Sequence, residues 1–178
     1  MTDKTPYDSD RIRYSRQALA RLVLCDHAVD VAGAASGLVA TGHDSDTGPG
    51  GRVSQAAQLV ELAERALRSA VIYERERGSS WEDIGRYLGV GPQEAEERFA
   101  AHLDDWSTAF AVPYRIDETG RKRIPRLPTA AYDPAWAAGL LDGWARRHLS
   151  LIDDEQPVSS GLVMADAEDD EHRQQGQG

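Results

Sequence analysis

The residues able to catalyse or coordinate are few in this 178-residue chain, and they are scattered. His27, His43, His102, His148 and His172 do not recur at metal-ligand spacing. Cys25 is the single cysteine; it falls in the middle of an apolar helical stretch, where a thiol is expected buried and inert. Asp26 and His27 are neighbours in sequence, so a helix points them at different faces. Asp44 and Asp46 have the spacing that opens a calcium loop. Gly48, Pro49 and Gln55 then occupy the third-ligand, turn and closing positions, and the bidentate Glu is missing. Asp104-Asp105 stands beside Trp106 and reads as a solvated helix face. With no glycine-rich phosphate cradle and no nucleophile elbow, the expectation is a protein without enzymatic activity, metal or cofactor.

Two groups have the chemistry of recognition instead. Gln93 can meet an adenine edge, and Glu96 or Glu97 can accept from cytosine N4. Arg115, Arg121, Lys122, Arg123 and Arg126 lie within the 112–127 stretch, where Asp117 and Glu118 leave a balance of +3. This is the one clearly basic segment. It reads as a wing laying cations on phosphates, or equally as a connector whose cations pair with acids of the same chain. Arg11, Arg13 and Arg16 form a smaller cluster, balanced by acids within the first 30 residues.

The stretch Ser79–Phe99 must position Gln93, Glu96 and Glu97. Ser80 with Asp83 three residues on gives a capping-box pattern. Trp81, Ile84 and Leu88 share a helix face, and Gly89 suits a sharp turn with positive φ. Pro92 fits the first position of the next helix, where Ala95 and Phe99 lie at i, i+4. Gly85 leaves space for close crossing. This is helix-turn-helix patterning. Ser80, Trp81, Ile84, Gly85, Leu88, Gly89, Val90, Gln93, Ala95, Arg98 and Phe99 resemble a helix-turn-helix of actinobacterial proteins, itself similar to the promoter-reading domain of sigma factors. The resemblance covers about a fifth of the chain. It implies double-stranded DNA as partner, the Pro92 helix in the major groove and a role in transcription regulation. The family usually carries Ser-Arg where this chain has Gly91-Pro92. Between Gly78 and His102, Arg86 and Arg98 face five acids, a balance of −3, so phosphate affinity must come from the 115–126 cations. The alternative is a helical protein-interaction or dimerisation module that keeps the helix-turn-helix only as a packing unit.

Around this core the chain reads as mainly all-α. A flexible lead covers 1–9 and a single helical domain 10–152, containing the helix-turn-helix at 79–100. An acidic, disordered tail covers 153–178. A helix is expected from Asp10 to about Ala40, then a loop over Thr41–Arg52, then a helix capped by Ser54 and ended by Gly78. Glu61–Arg65 and Glu64–Arg68 are spaced as ion pairs along that second helix. The two helices suit an antiparallel hairpin, which could also pair with a second copy or a partner regulator. After a small basic hairpin or loop, Asp133 or Thr129 caps a last helix with Pro134 at its first position. Trp136, Leu140, Leu141, Trp144 and His148 recur at helical spacing, with Trp136 and Trp144 expected as core anchors and His148 as a partly exposed helix-end residue, and a docked turn is expected within 158–164. The net charge is −10, of which the tail from Asp153 supplies −7, so the remainder is close to neutral. One cysteine, no signal-peptide pattern and no apolar run read as long enough to span a bilayer give the expectation of a cytoplasmic protein without membrane contact.

Overall fold

The computed structural model describes residues 5–10, 13–42, 44–120, 123–149, 154–162 and 164. In chain order the elements are α1 (Pro6–Asp10), α2 (Arg16–Val39), α3 (Gly51–Glu76), α4 (Trp81–Leu88), α5 (Pro92–Ala111), β1 (Tyr114–Ile116), β2 (Arg123–Pro125), α6 (Thr129–Tyr132) and α7 (Pro134–His148). The fold is mainly helical, as the periodicity implies. α2 and α3 form the expected antiparallel hairpin, held partly by an ion pair between Arg65 and Asp30. Arg65 reaches across to α2, rather than along α3 to Glu61.

Two hydrophobic clusters organise the chain. The larger joins Tyr7, the Ala18–Val23 end of α2, Trp106 and Ala109 of α5, Leu127, α6 and the inner face of α7. The smaller consists of Val71, Ile84, Ala95 and Phe99, with Leu67, Trp81, Leu88 and Val90 against it. α5 belongs to both, so it ties the helix-turn-helix to the rest. Glu76 is the polar counterpart of that tie. It accepts from Arg16 Nη2 at 2.7 Å and from Trp106 Nε1 at 2.9 Å, linking α2, α3 and α5.

Several sequence expectations are corrected. The lead is not free up to residue 9: Thr5–Asp10 is ordered, with Tyr7 only 2% exposed between Tyr114 and Tyr132. α2 starts at Arg16, because Ser15 caps it by accepting from Ala18 N at 3.1 Å. α3 starts at Gly51, after Gly50 turns with φ of 83°, so Ser54 lies inside the helix and is not its cap. By length and composition α2 is apolar enough to cross a membrane, which corrects the expectation that no segment is. It carries Asp26 and Asp30 and pairs along its length with α3.

The outward face of α7 is the largest departure. Its buried positions are Pro134, Ala137, Ala138, Leu141, Asp142 and Ala145, while Trp136 and Leu140 are 55% and 53% exposed. Alanines let α7 lie close against α2, and an indole would not fit between them. Trp144 is half-buried and stacks on His148 at 4.5 Å. Part of the expected tail is docked. Asp142 accepts from Val158 N at 2.7 Å, Ser159 N at 3.0 Å and Ser159 Oγ at 2.6 Å. Leu162 is buried, and Met164 bridges to Tyr14. Residues 165–178, with most of the tail's acids, lie outside the described residues.

Candidate nucleic-acid interface

The helix-turn-helix is built as its local signals require. Ser80 Oγ accepts from Asp83 N at 3.1 Å, and Ser80 N donates to Asp83 Oδ2 at 3.1 Å, completing the capping box. These Ser80 contacts hold the Asp83 carboxyl below its usual range. Gly89 ends α4 in the left-handed region with φ of 71°. Gly85 is needed for the turn itself: a Cβ there would lie 2.8 Å from the Val90 carbonyl oxygen. Pro92 opens α5 after Gly91, which offers no side-chain cap, so the first amides of α5 are left to solvent or a ligand.

Gln93, Glu94, Glu96 and Glu97 are all exposed on α5, with Ala95 and Phe99 turned inward. Gln93 Nε2 donates to Glu97 Oε1 at 2.9 Å, so two of the expected base-reading groups occupy each other. The cations nearby are largely committed. Arg86 lies 3.6 Å from Asp83, Arg77 3.0 Å from Glu74, and Arg75 stacks over Trp81. Arg98 is exposed, with its guanidinium over the ring of Phe99. Tyr87 stands 89% exposed at the end of α4, a feature the sequence did not single out.

The basic segment is an antiparallel hairpin, pairing Tyr114 with Pro125, Arg115 with Ile124 and Ile116 with Arg123. It follows the C-terminal end of α5, whereas Gln93 sits in the first turn. At about 1.5 Å per residue, that places the two about 27 Å apart along the helix axis. Tyr114 anchors the hairpin on Tyr7 and Tyr132, within the larger cluster. Arg123 lies over Tyr114 and 3.9 Å from Asp8. Arg115 is exposed on β1. Arg126 instead borders a hollow with Arg65, Arg68, His27 and His102. Arg121 and Lys122 lie outside the described residues. The six expected contact residues among the described residues do not come together: Gln93, Glu96 and Glu97 share one end of α5, and Arg115, Arg123 and Arg126 belong to the other.

Among the described residues no three of His, Cys, Asp and Glu converge as a metal site. Burial pushes the Cys25 thiol up, against the opposing effect of Arg21, which donates to its sulfur at 2.9 Å. Burial also raises Asp26, helped by Asp30. His27 is lowered by burial and by Arg65, and its Nδ1 lies 2.7 Å from Ser69 Oγ.

Exposed large apolar side chains also stand on α7. Trp136 and Leu140 project from α7, and hollows of about 340 and 300 Å³ flank Trp144 where α7 crosses α2. Val29 lines both hollows; Asp26 and Arg147 line the first. Among the described residues neither Asp26 nor Arg147 has an ion-pair partner. No family model, no curated protein and no solved structure matches this chain.

Proposed function

We propose that this chain is a helical protein-interaction module which dimerises through the α2–α7 face and keeps its helix-turn-helix as a packing unit. The observation that carries this reading is the exposure of Trp136 and Leu140 at i, i+4 beside two hollows. Tryptophans in such settings dominate interface energetics, and contiguous exposed apolar surface is rare on monomers. A twofold interface must be self-complementary. This face offers apolar knobs and hollows together, and Asp26 and Arg147, which have no ion-pair partner among the described residues, line one of the hollows. The charge pattern on α5 argues the same way, since phosphate neutralisation dominates non-specific DNA affinity and that face is acidic.

The test is sedimentation velocity on the full chain. The wild type should be a dimer, and Asp26→Arg or Arg147→Asp alone should dissociate it. Mixing the two variants should restore association, because each new charge then meets its complement. A monomeric wild type at high concentration overturns the reading, as does a dimer indifferent to both substitutions.

A second reading, transcription regulation through DNA, is favoured by one specific feature: the uncapped, exposed N-terminus of α5, a phosphate-binding arrangement in many proteins. Titration into a fluorescent duplex at low salt separates the two. A steep fall of log K with log salt, lessened on neutralising Arg121, Lys122 and Arg123, would favour DNA; its slope should shrink by about 0.9 per lost phosphate contact.

A further inference from the structure

The hollow bordered by Arg126 is a second concave site, and it shares no residue with the α2–α7 face. Its volume is about 220 Å³. Arg65 and Arg68 reach it from α3, His27 from α2, His102 from α5 and Arg126 from the segment before α6. Asp105 is its single acid, so the lining carries a formal charge of +2 with both imidazoles neutral. Trp106 and Ile72 supply an apolar part of the wall.

Three guanidinium groups, two from α3 and one from the segment before α6, repel one another unless something compensates them. Arg65 is compensated in part by Asp30, yet its Nε is buried with no hydrogen-bond partner among the described residues. Such an atom is a donor left without its acceptor. Arg68 and Arg126 have no ion-pair partner among the described residues. Arginine forks match the oxygens of phosphate and carboxylate, and a dianion answers a +2 lining better than a monoanion. The hollow is smaller than a typical drug-sized pocket, which suits a phosphoryl group carrying a short organic body.

We infer that this hollow binds a small phosphate-bearing molecule, with Arg65, Arg68 and Arg126 holding the phosphoryl oxygens and the Trp106 wall receiving the organic part. His27 and His102 stand at the rim and report on occupancy. The inference does not depend on the dimer or on DNA, because the residues are different.

The experiment is an NMR titration of the full chain with inorganic phosphate and, separately, phenyl phosphate at constant ionic strength. The imidazole resonances of His27 and His102 are followed, with His148 as a remote reference. Saturable shifts at His27 and His102, absent from His148 and not produced by chloride, are expected. Phenyl phosphate should bind more tightly than phosphate alone. Arg68→Ala and Arg126→Ala should each weaken binding roughly tenfold, the loss of a charge-assisted hydrogen bond. Asp105→Asn should tighten it, a gain that misfolding cannot imitate. Linear, non-saturating shifts, equal shifts with chloride, or an Asp105→Asn variant that binds no better would overturn the inference. Tighter binding of phosphate than of phenyl phosphate would remove the organic body from it.

Discussion

Replacing Gly85 with alanine tests whether the turn of the helix-turn-helix is set by backbone contact. An ideal Cβ at Gly85 lies 2.8 Å from the Val90 oxygen and 3.3 Å from both C and O of Gly91. These obstacles are backbone atoms in a turn that is itself tied back, since Val90 N donates to Gly85 O at 3.0 Å. A rotamer change cannot relieve the clash. Overpacking of this kind costs about 1–3 kcal/mol, while alanine in place of helical glycine returns about 0.8–1.0 kcal/mol. Because the turn must move as a unit, carrying Val90 off Ile84 and Phe99, the upper part of that range applies. The net destabilisation is then about 1–2 kcal/mol. Gly139 is the matched control: it is exposed in α7, with nothing within 4 Å of its added Cβ. There the same substitution should stabilise by up to about 1 kcal/mol. Urea unfolding followed by far-UV circular dichroism reads both, and melting points should shift about 2–4 °C per kcal/mol, in opposite directions. If both variants gain stability, propensity alone governs and the argument from the Val90 carbonyl fails.

Three further outcomes follow from contacts already described. Ser80→Ala removes the acceptor for Asp83 N and should cost about 1 kcal/mol in urea unfolding, with Ser80→Asn largely restoring it. Asp142→Ala strips three donors of their acceptor. Hydrogen exchange at Val158 and Ser159 should accelerate well beyond the global change, while α4 and α5 keep their protection. His27 is lowered from 6.5 by burial first and by Arg65 next; Arg68 adds to this, while Asp26 and Asp30 oppose it. Below pH 6.5 the unfolded chain therefore binds a proton that the folded chain resists, so stability falls as pH drops through that window. His27→Gln should flatten this slope between pH 7.5 and pH 5.5, and an unchanged slope would place the proton elsewhere.

Local signals were legible and distances were not. The capping box at Ser80, the positive φ at Gly89 and Pro92 at the start of α5 each arise within a few residues, and each is found in place. The break before α2 had no such signature. Tyr7 leaves the helix line to pack between Tyr114 and Tyr132, more than 100 residues further on, and Ser15 then starts a new helix. The start of α3 was missed for a different reason. Ser54 is a good cap by type, but Gly50 turns the chain four residues earlier, with no side-chain cap at all. The separation between the basic segment and the start of α5 was not legible, because a charge tally along the chain carries no length. The +3 and −3 segments are neighbours in sequence, yet α5 extends them to opposite ends of a 20-residue helix.

The α7 face is where this distinction becomes an argument about function. Trp136, Leu140 and Trp144 recur every four residues, and on size and hydrophobicity they are the natural inner stripe. The chain instead buries the neighbouring stripe of alanines, with Asp142 as acceptor for the 158–159 turn. Rotating α7 to bury the indoles would push it away from α2, open the alanine contacts and strand Val158 N and Ser159 N without their carboxylate. Three buried alanines and three hydrogen bonds thus fix the rotation, and their by-product is a pair of large apolar side chains held in water. Exposure of that kind has an unfavourable hydration term of about 25 cal/mol for each Å² of apolar area. A second surface covering Trp136 and Leu140 removes that term without disturbing Asp142. Charge-reversed variants at Asp26 and Arg147, which take no part in the hydrogen bonds between Asp142 and the 158–159 turn, therefore test the interface with that tie in place.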